Sequence, residues 1–266
     1  IKTQDFQWDI TANWSTNKNI VVSLPNGLQN LQLGSFQGGV TINATPGEPY
    51  GTIKGTDYIY LNGQKVVSQT TGQYLRTSAS DVTIGNITPK WIGGLRNKVT
   101  YKNVSLSFLL DMQKGGDIFS LDMYYGLATG LYPETAIADI RNTGTVLPGV
   151  DSNGNANTKA SLAGGGWSRN INGYVNNPNK AFIYDASFIK LREVAISYLL
   201  PKKYLNDTFI KDVKCSLVGT NLWIIQKNLP YADPESGLTA GNLSRGYSVG
   251  SLPTTREIGF NLTFKF

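Results

Sequence analysis

"REIGFNLTFKF", Arg256 to Phe266, sets a bulky apolar side chain at every second position. Ile258, Phe260, Leu262, Phe264 and Phe266 alternate with Glu257, Gly259, Asn261, Thr263 and Lys265. Successive side chains of an extended strand point to opposite sides, so this stretch has one apolar and one polar face. Two structures share that pattern. One is a half-buried strand of a soluble sandwich. The other is a stave of a membrane barrel, apolar toward lipid and polar toward a wet interior. A tilted strand crosses a bilayer in about 9–11 residues, which this stretch supplies.

The remaining composition narrows the choice. The chain has 266 residues, with 29 Gly and 14 Tyr, and its charged fraction of 16% lies below the soluble average of about 25%. Mean hydropathy is −0.20, and no run approaches the ~18 apolar residues of a membrane helix. The single Cys215 forms no internal disulfide framework. The absence of histidine removes a Ser-His-Asp triad, an HExxH zinc site and an imidazole base. The net charge of +6 is spread out, with no basic cluster denser than "PKK" at Pro201–Lys203, so nucleic acid is not an expected partner. "IKTQDFQWDI" carries no basic n-region, apolar h-region or cleavage site. The expectation is a removed signal or a start inside a larger protein.

The two-faced pattern recurs. Trp8, Ile10, Ala12 and Trp14 share one face against Asp9, Thr11 and Asn13. "GLRNKVTYKNVSLSFLLDMQ" reads as a hairpin turning at Lys102–Asn103, and Val194, Ile196, Tyr198 and Leu200 line a strand that Pro201 ends. No window of eleven or more residues keeps a helical period, so the chain reads as all-β. Nine strands are expected. Those over 8–14, 37–46, 94–102, 186–200 and 255–266 descend; those over 20–33, 50–61, 104–113 and 211–223 ascend. Short turns (Ser15–Asn19, Tyr101–Asn103, Pro201–Ile210) alternate with long polar stretches (Asn62–Lys90, Gly115–Asp185, Gln226–Thr254). Barrels show this lopsidedness routinely. Aromatics at strand ends (Trp8, Trp14, Tyr101, Tyr198, Trp223, Phe264, Phe266) suit interfacial girdles. An odd number of strands with two open edges predicts an incomplete barrel.

On these stretches the chain resembles SusC/RagA-type TonB-dependent outer-membrane transporters: "GEPYGTIKG" (Gly47–Gly55), Ile84–Ser120, "VLPGVDSNGNANT" (Val146–Thr158), "ASFIKLREVAISYLLP" (Ala186–Pro201), "GTNLW" (Gly219–Trp223) and "YADPES…RGYSVGSLPTTREIGFNLTF". The resemblance implies that residues 1–266 are the C-terminal part of an antiparallel transmembrane β-barrel. They would supply roughly the last nine of 22 strands, without plug, TonB box or N-terminal extension. It implies import of oligosaccharides or oligopeptides across the outer membrane of a Gram-negative cell. The implied partners are a SusD/RagB-like surface lipoprotein, TonB acting through the missing part, and outer-membrane lipid. It implies no cofactor and no catalytic role. The competing class is a soluble all-β glycan-binding or adhesive module at the cell surface; a β-rich hydrolase lacks a histidine and a compelling carboxylate pair.

Single motifs carry less. "DSNGNANTKASL" spaces Asp151, Asn153 and Asn155 like a calcium loop, but Ala156 and Leu162 stand where glycine and an acidic residue are needed, so a loop is expected and no metal site is assigned. "KGGDIFS" (Lys114–Ser120) lacks the GK[ST] ending of a phosphate loop. Asp111 and Asp117 read as rim carboxylates rather than a catalytic pair. Arg96, Lys98, Arg192, Glu193, Lys214, Glu257 and Lys265 are candidates to line the interior. The stretch Tyr231–Tyr247 is the substrate-binding candidate; the competing reading is that it only folds the last loop and contacts the lipoprotein. It combines the rings of Tyr231 and Tyr247 with the polar groups of Asp233, Glu235, Asn242 and Arg245.

Overall fold

A computed structural model describes residues 1–162, 171–206, 208–235, 237 and 245–266. Six long strands form one antiparallel sheet, the wall: β1 (Phe6–Ser15), β2 (Pro89–Tyr101), β3 (Val104–Gly115), β4 (Phe188–Leu199), β5 (Asp212–Lys227) and β6 (Glu257–Lys265). Their spatial order is their order along the chain, so each strand pairs with the wall strand before it. Among the described residues no helix is long and apolar enough to cross a membrane.

Strict pairing turns the sequence alternation into rows. Trp8, Val99, Leu106, Ile196, Leu217 and Phe260 lie opposite one another across all six strands. Leu106 is 44% exposed, Ile196 and Leu217 52%, and Phe260 69%. One residue along, on the other face, runs Thr100, Ser105, Ser197, Ser216 and Asn261. The wall thus has an uncovered apolar face and a hydroxyl-rich polar face. On the apolar face, Trp14 and Phe6 stand near opposite ends of β1, separated by about 26 Å of strand at roughly 3.3 Å per residue.

At one end the wall strands join by short links. Lys102 (φ 52) and Asn103 turn β2 into β3, and 200–211 joins β4 to β5. At the other end three excursions, 16–88, 116–187 and 228–256, fold together into a crown. Four short strands, Leu31–Phe36, Val40–Ala44, Thr52–Gly55 and Val82–Asn86, make one sheet. Asp117–Ser120 pairs antiparallel with Ile183–Asp185 and parallel with Tyr247–Ser248, joining the second excursion to the third. Helix α1 (Leu121–Thr129) starts where the Ser120 hydroxyl accepts from Met123 N (3.2 Å) and stops at Gly130, φ 78. One core unites all three: Val40, Ile42, Ile53 and Ile84 from the first, Phe119, Met123 and Phe182 from the second, Tyr247 from the third. Gly38 (φ +95) must be glycine here, since a Cβ would sit 2.9 Å from the Phe119 ring.

This corrects the expected strand count. The spans 20–33, 37–46 and 50–61 are not wall strands; their extended parts are the short crown strands. Val40, Ile42, Asn43 and Ala44 are all buried, so consecutive residues are covered on both faces, which a stave with one lipid face does not allow. Removing three strands, an odd number, reverses the first one. Phe6 pairs with Tyr101, and Ser15 with Ile92, so β1 runs toward the crown and Ser15–Asn19 lies at the crown end rather than the short-turn end. The long stretches expected to be polar loops supply most of the core, including Ile84, Phe119, Met123, Phe182 and Tyr247.

Candidate functional site

The polar face of the wall holds a cavity of about 370 Å³ lined by Arg96, Lys98, Ser107, Glu193, Lys214 and Asn261 among others. Four of the interior candidates therefore share one surface. Arg96 Nη1 and Glu193 Oε1 pair at 3.1 Å across β3. Neighbouring residues Arg192 and Glu193 cannot share a face in a regular strand. A bulge between Leu191 and Glu193 makes both turn inward, and it increases local twist. Glu257 opens β6, with Thr255 Oγ1 donating to it at 3.4 Å. Lys265 lies at the short-turn end.

Above the bulge, charges concentrate where the wall meets the crown. Lys190, 3% exposed, and Asp233, 4% exposed, pair at 2.5 Å. Lys190 Nζ also donates to Glu235, which in turn accepts from Arg192. Arg192 Nη2 reaches Asp111 Oδ2 at 2.7 Å, and its Nη1 donates to Asn221 Oδ1 at 3.4 Å. Burial pushes the Asp233 carboxyl up. Hydrogen bonds from Lys190 Nζ, Glu235 N and Thr254 Oγ1 outweigh that and hold it below the usual carboxylate range. Two wall strands, β3 and β4, are thereby tied to the third excursion. Asp117, by contrast, accepts from Asn86 N at 2.9 Å inside the crown and is no partner of Asp111.

The residues singled out between Tyr231 and Tyr247 engage different partners. Tyr231 is exposed; its ring stacks on Tyr132 at 4.3 Å and its hydroxyl donates to Glu134 at 3.0 Å. Asp233 is locked in the ionic cluster. Tyr247 is buried, stacked on Phe36 at 4.7 Å, and donates to the Gln37 carbonyl at 2.9 Å; burial first, then Tyr125, Asp122 and Tyr124, pushes its phenol up to about 12. Arg245 lines a separate cavity of about 350 Å³ with Tyr50, Trp91 and Asn19. Asn242 lies outside the described residues. Sequence reasoning missed Lys190 and Thr254, whose only signal is a polar side chain facing inward. In the Asp151 loop, the carboxylate accepts from Asn153 N and Asn155 N at 2.8 and 2.9 Å, which closes a turn.

No family model matches the chain. Two curated proteins of Formosa agariphila do: TonB-dependent receptor P3 is 27% identical over the whole chain, and TonB-dependent receptor P26 is 26% identical over 99% of it. The chain resembles TonB-dependent receptors along its whole length. It spans 27% and 28% of the length of these two receptors. The fold is shared with solved structures of the RagAB peptide importer. In its closed-closed state the TM-score is 0.61 at 16% identity, over 98% of this chain and 28% of that one; in its open-open state it is 0.60 at 15%, over 100% and 27%.

Proposed function

We propose that this chain is part of the wall and outer crown of a TonB-dependent importer. It would be an antiparallel transmembrane β-barrel of the outer membrane that carries oligosaccharides or oligopeptides and does no chemistry itself. The observation that carries the reading is the uncovered apolar row from Trp8 to Phe260, backed by the hydroxyl row from Thr100 to Asn261. A contiguous apolar surface of this extent is unstable in water and ordinary in lipid. Six strands leave two open edges, β1 and β6. Unpaired backbone is not tolerated in hydrocarbon, which supports a larger closed barrel, in the 22-strand pattern that the resemblance implies, with residues 1–266 a single portion of it.

The crown faces the outside in this reading. Exposed Tyr231 and Arg245, with Asn242, are its proposed substrate contacts, while Asp233 and Tyr247 hold their loop in place. A SusD/RagB-like lipoprotein would dock on the crown, and TonB would act through parts of the protein beyond this chain. Carbonate extraction of membranes tests the reading. The full-length protein is expected to stay in the pellet until detergent is added. Release by salt or carbonate alone would make it a soluble all-β surface module instead.

A further inference from the structure

A small group of basic residues meets at the short-turn end of the wall. A cavity of about 360 Å³ between the 200–211 link and the ends of β5 and β6 is lined by Lys202, Lys211 and Lys265, with Asp212 and Asn206 beside them. Lys211 Nζ donates to the Phe266 carbonyl oxygen at 3.0 Å. Among the described residues, Lys202 and Lys265 have no carboxylate within ion-pair distance. Lys203 follows directly, its ammonium 4.9 Å from the Tyr204 ring. On the link and at the end of the last strand, Phe209 and Phe266 stack at 5.6 Å while remaining 79% and 64% exposed.

A basic pocket alone attracts any anion. Large rings left open beside it select an anion carried on an apolar body, because they gain by leaving water only if something apolar covers them. We propose that this pocket, at the rim where the polar face carrying Asp212 and Lys265 ends, binds the phosphate of an anionic phospholipid headgroup, with Phe209 and Phe266 seated against its glycerol and acyl region. The assignment rests on the membrane reading above. Lysines reach the headgroup level by extending their stems along apolar surface, and aromatic side chains favour the same depth. Among the described residues that line it, three lysines stand against one aspartate, a balance that favours a net-negative headgroup over a zwitterionic one.

The test uses the full-length protein in nanodiscs of equal phosphatidylglycerol and phosphatidylethanolamine, with retained lipid read by native mass spectrometry. The wild type is expected to retain phosphatidylglycerol preferentially. K202Q/K211Q/K265Q should lose that preference by roughly fivefold per lysine. A control lacking the crown lysines Lys18, Lys54 and Lys159 should keep it. An unchanged preference in the first variant overturns the site, and so does retention of inorganic phosphate without any lipid preference. Carbonate extraction is run in parallel. A protein that washes off the membrane sinks the wall reading itself, whereas an embedded protein without lipid preference sinks this site alone.

Discussion

Lys190 is the buried anchor among the wall residues that hold the crown's third excursion. Its ammonium is buried, and its partner Asp233 is covered equally well. Removing one member of a buried pair leaves the other without compensation, at about 3–5 kcal/mol. Glu235 still reaches Lys190, so Asp233→Ala should fall at the low end, about 3 kcal/mol. Glu235→Gln touches a partly exposed pair and should cost about 1 kcal/mol or less. Thermal unfolding in detergent would rank the two, and an equal effect would refute the buried role of Asp233. The pH dependence has a definite sign. Asp233 titrates below its unfolded value near 3.9, so its contribution is fully present above about pH 4 and fades as the pH falls through the folded value. Proteolysis of 228–256 should therefore accelerate only in strongly acidic buffer, and Asp233→Asn should abolish the change. Asp233 and Glu235 stood out in the sequence for their polarity. Their engagement by Lys190 and Arg192, some forty residues earlier, became visible only once β4 lay beside the loop.

Among the elements, β6 is the strictest test of the two faces. Phe260 and Leu262 sit on the uncovered side opposite Leu217 and Cys215, and Asn261 lies opposite Ser216 on the polar side. Leu262→Arg should cost roughly 2–4 kcal/mol near a bilayer midplane and Asn261→Arg much less. With Cys215 replaced, spin labels at the three positions should respond to a lipid-soluble quencher at 260 and 262 but not at 261. Uniform access would overturn the register. Helix α1 offers a separate measurement: Ser120→Ala removes its cap and should destabilise the crown by about 1 kcal/mol, visible as a lower midpoint in denaturant. β6 and the β2–β3 hairpin were legible because long strands with two different surroundings must repeat every second residue. Three crown strands were legible as extended segments overlapping 20–33, 37–46 and 50–61, but not as crown. Val40–Ala44 is covered on both sides, Thr52–Gly55 is four residues long, and neither length nor alternation marks such a segment. The bulge at Leu191–Glu193 was equally hidden, since one extra residue leaves no compositional trace.

At the scale of the whole molecule, pairing each wall strand with its predecessor gives every excursion a common departure and return point. Ser15 lies opposite Ile92, and Gln113 opposite Phe188, so 16–88 and 116–187 are hairpin loops grown very large. Lengthening a loop adds only about 0.6 kcal/mol of closure entropy per doubling, so the wall's register hardly depends on what is hung from it. The shared core imposes the opposite rule on the crown itself. Tyr247 stacks on Phe36 and Phe119, so the three excursions fit one another as parts of a single casting. Inheritance should follow that division. A chimera receiving 16–88 from TonB-dependent receptor P3 alone should insert its wall but expose the crown to protease. One receiving all three excursions together should resist it, and equal resistance in both would refute the idea. Specificity at the outer end would then be exchanged between receptors as one cassette, while the staves beneath it diverge position by position.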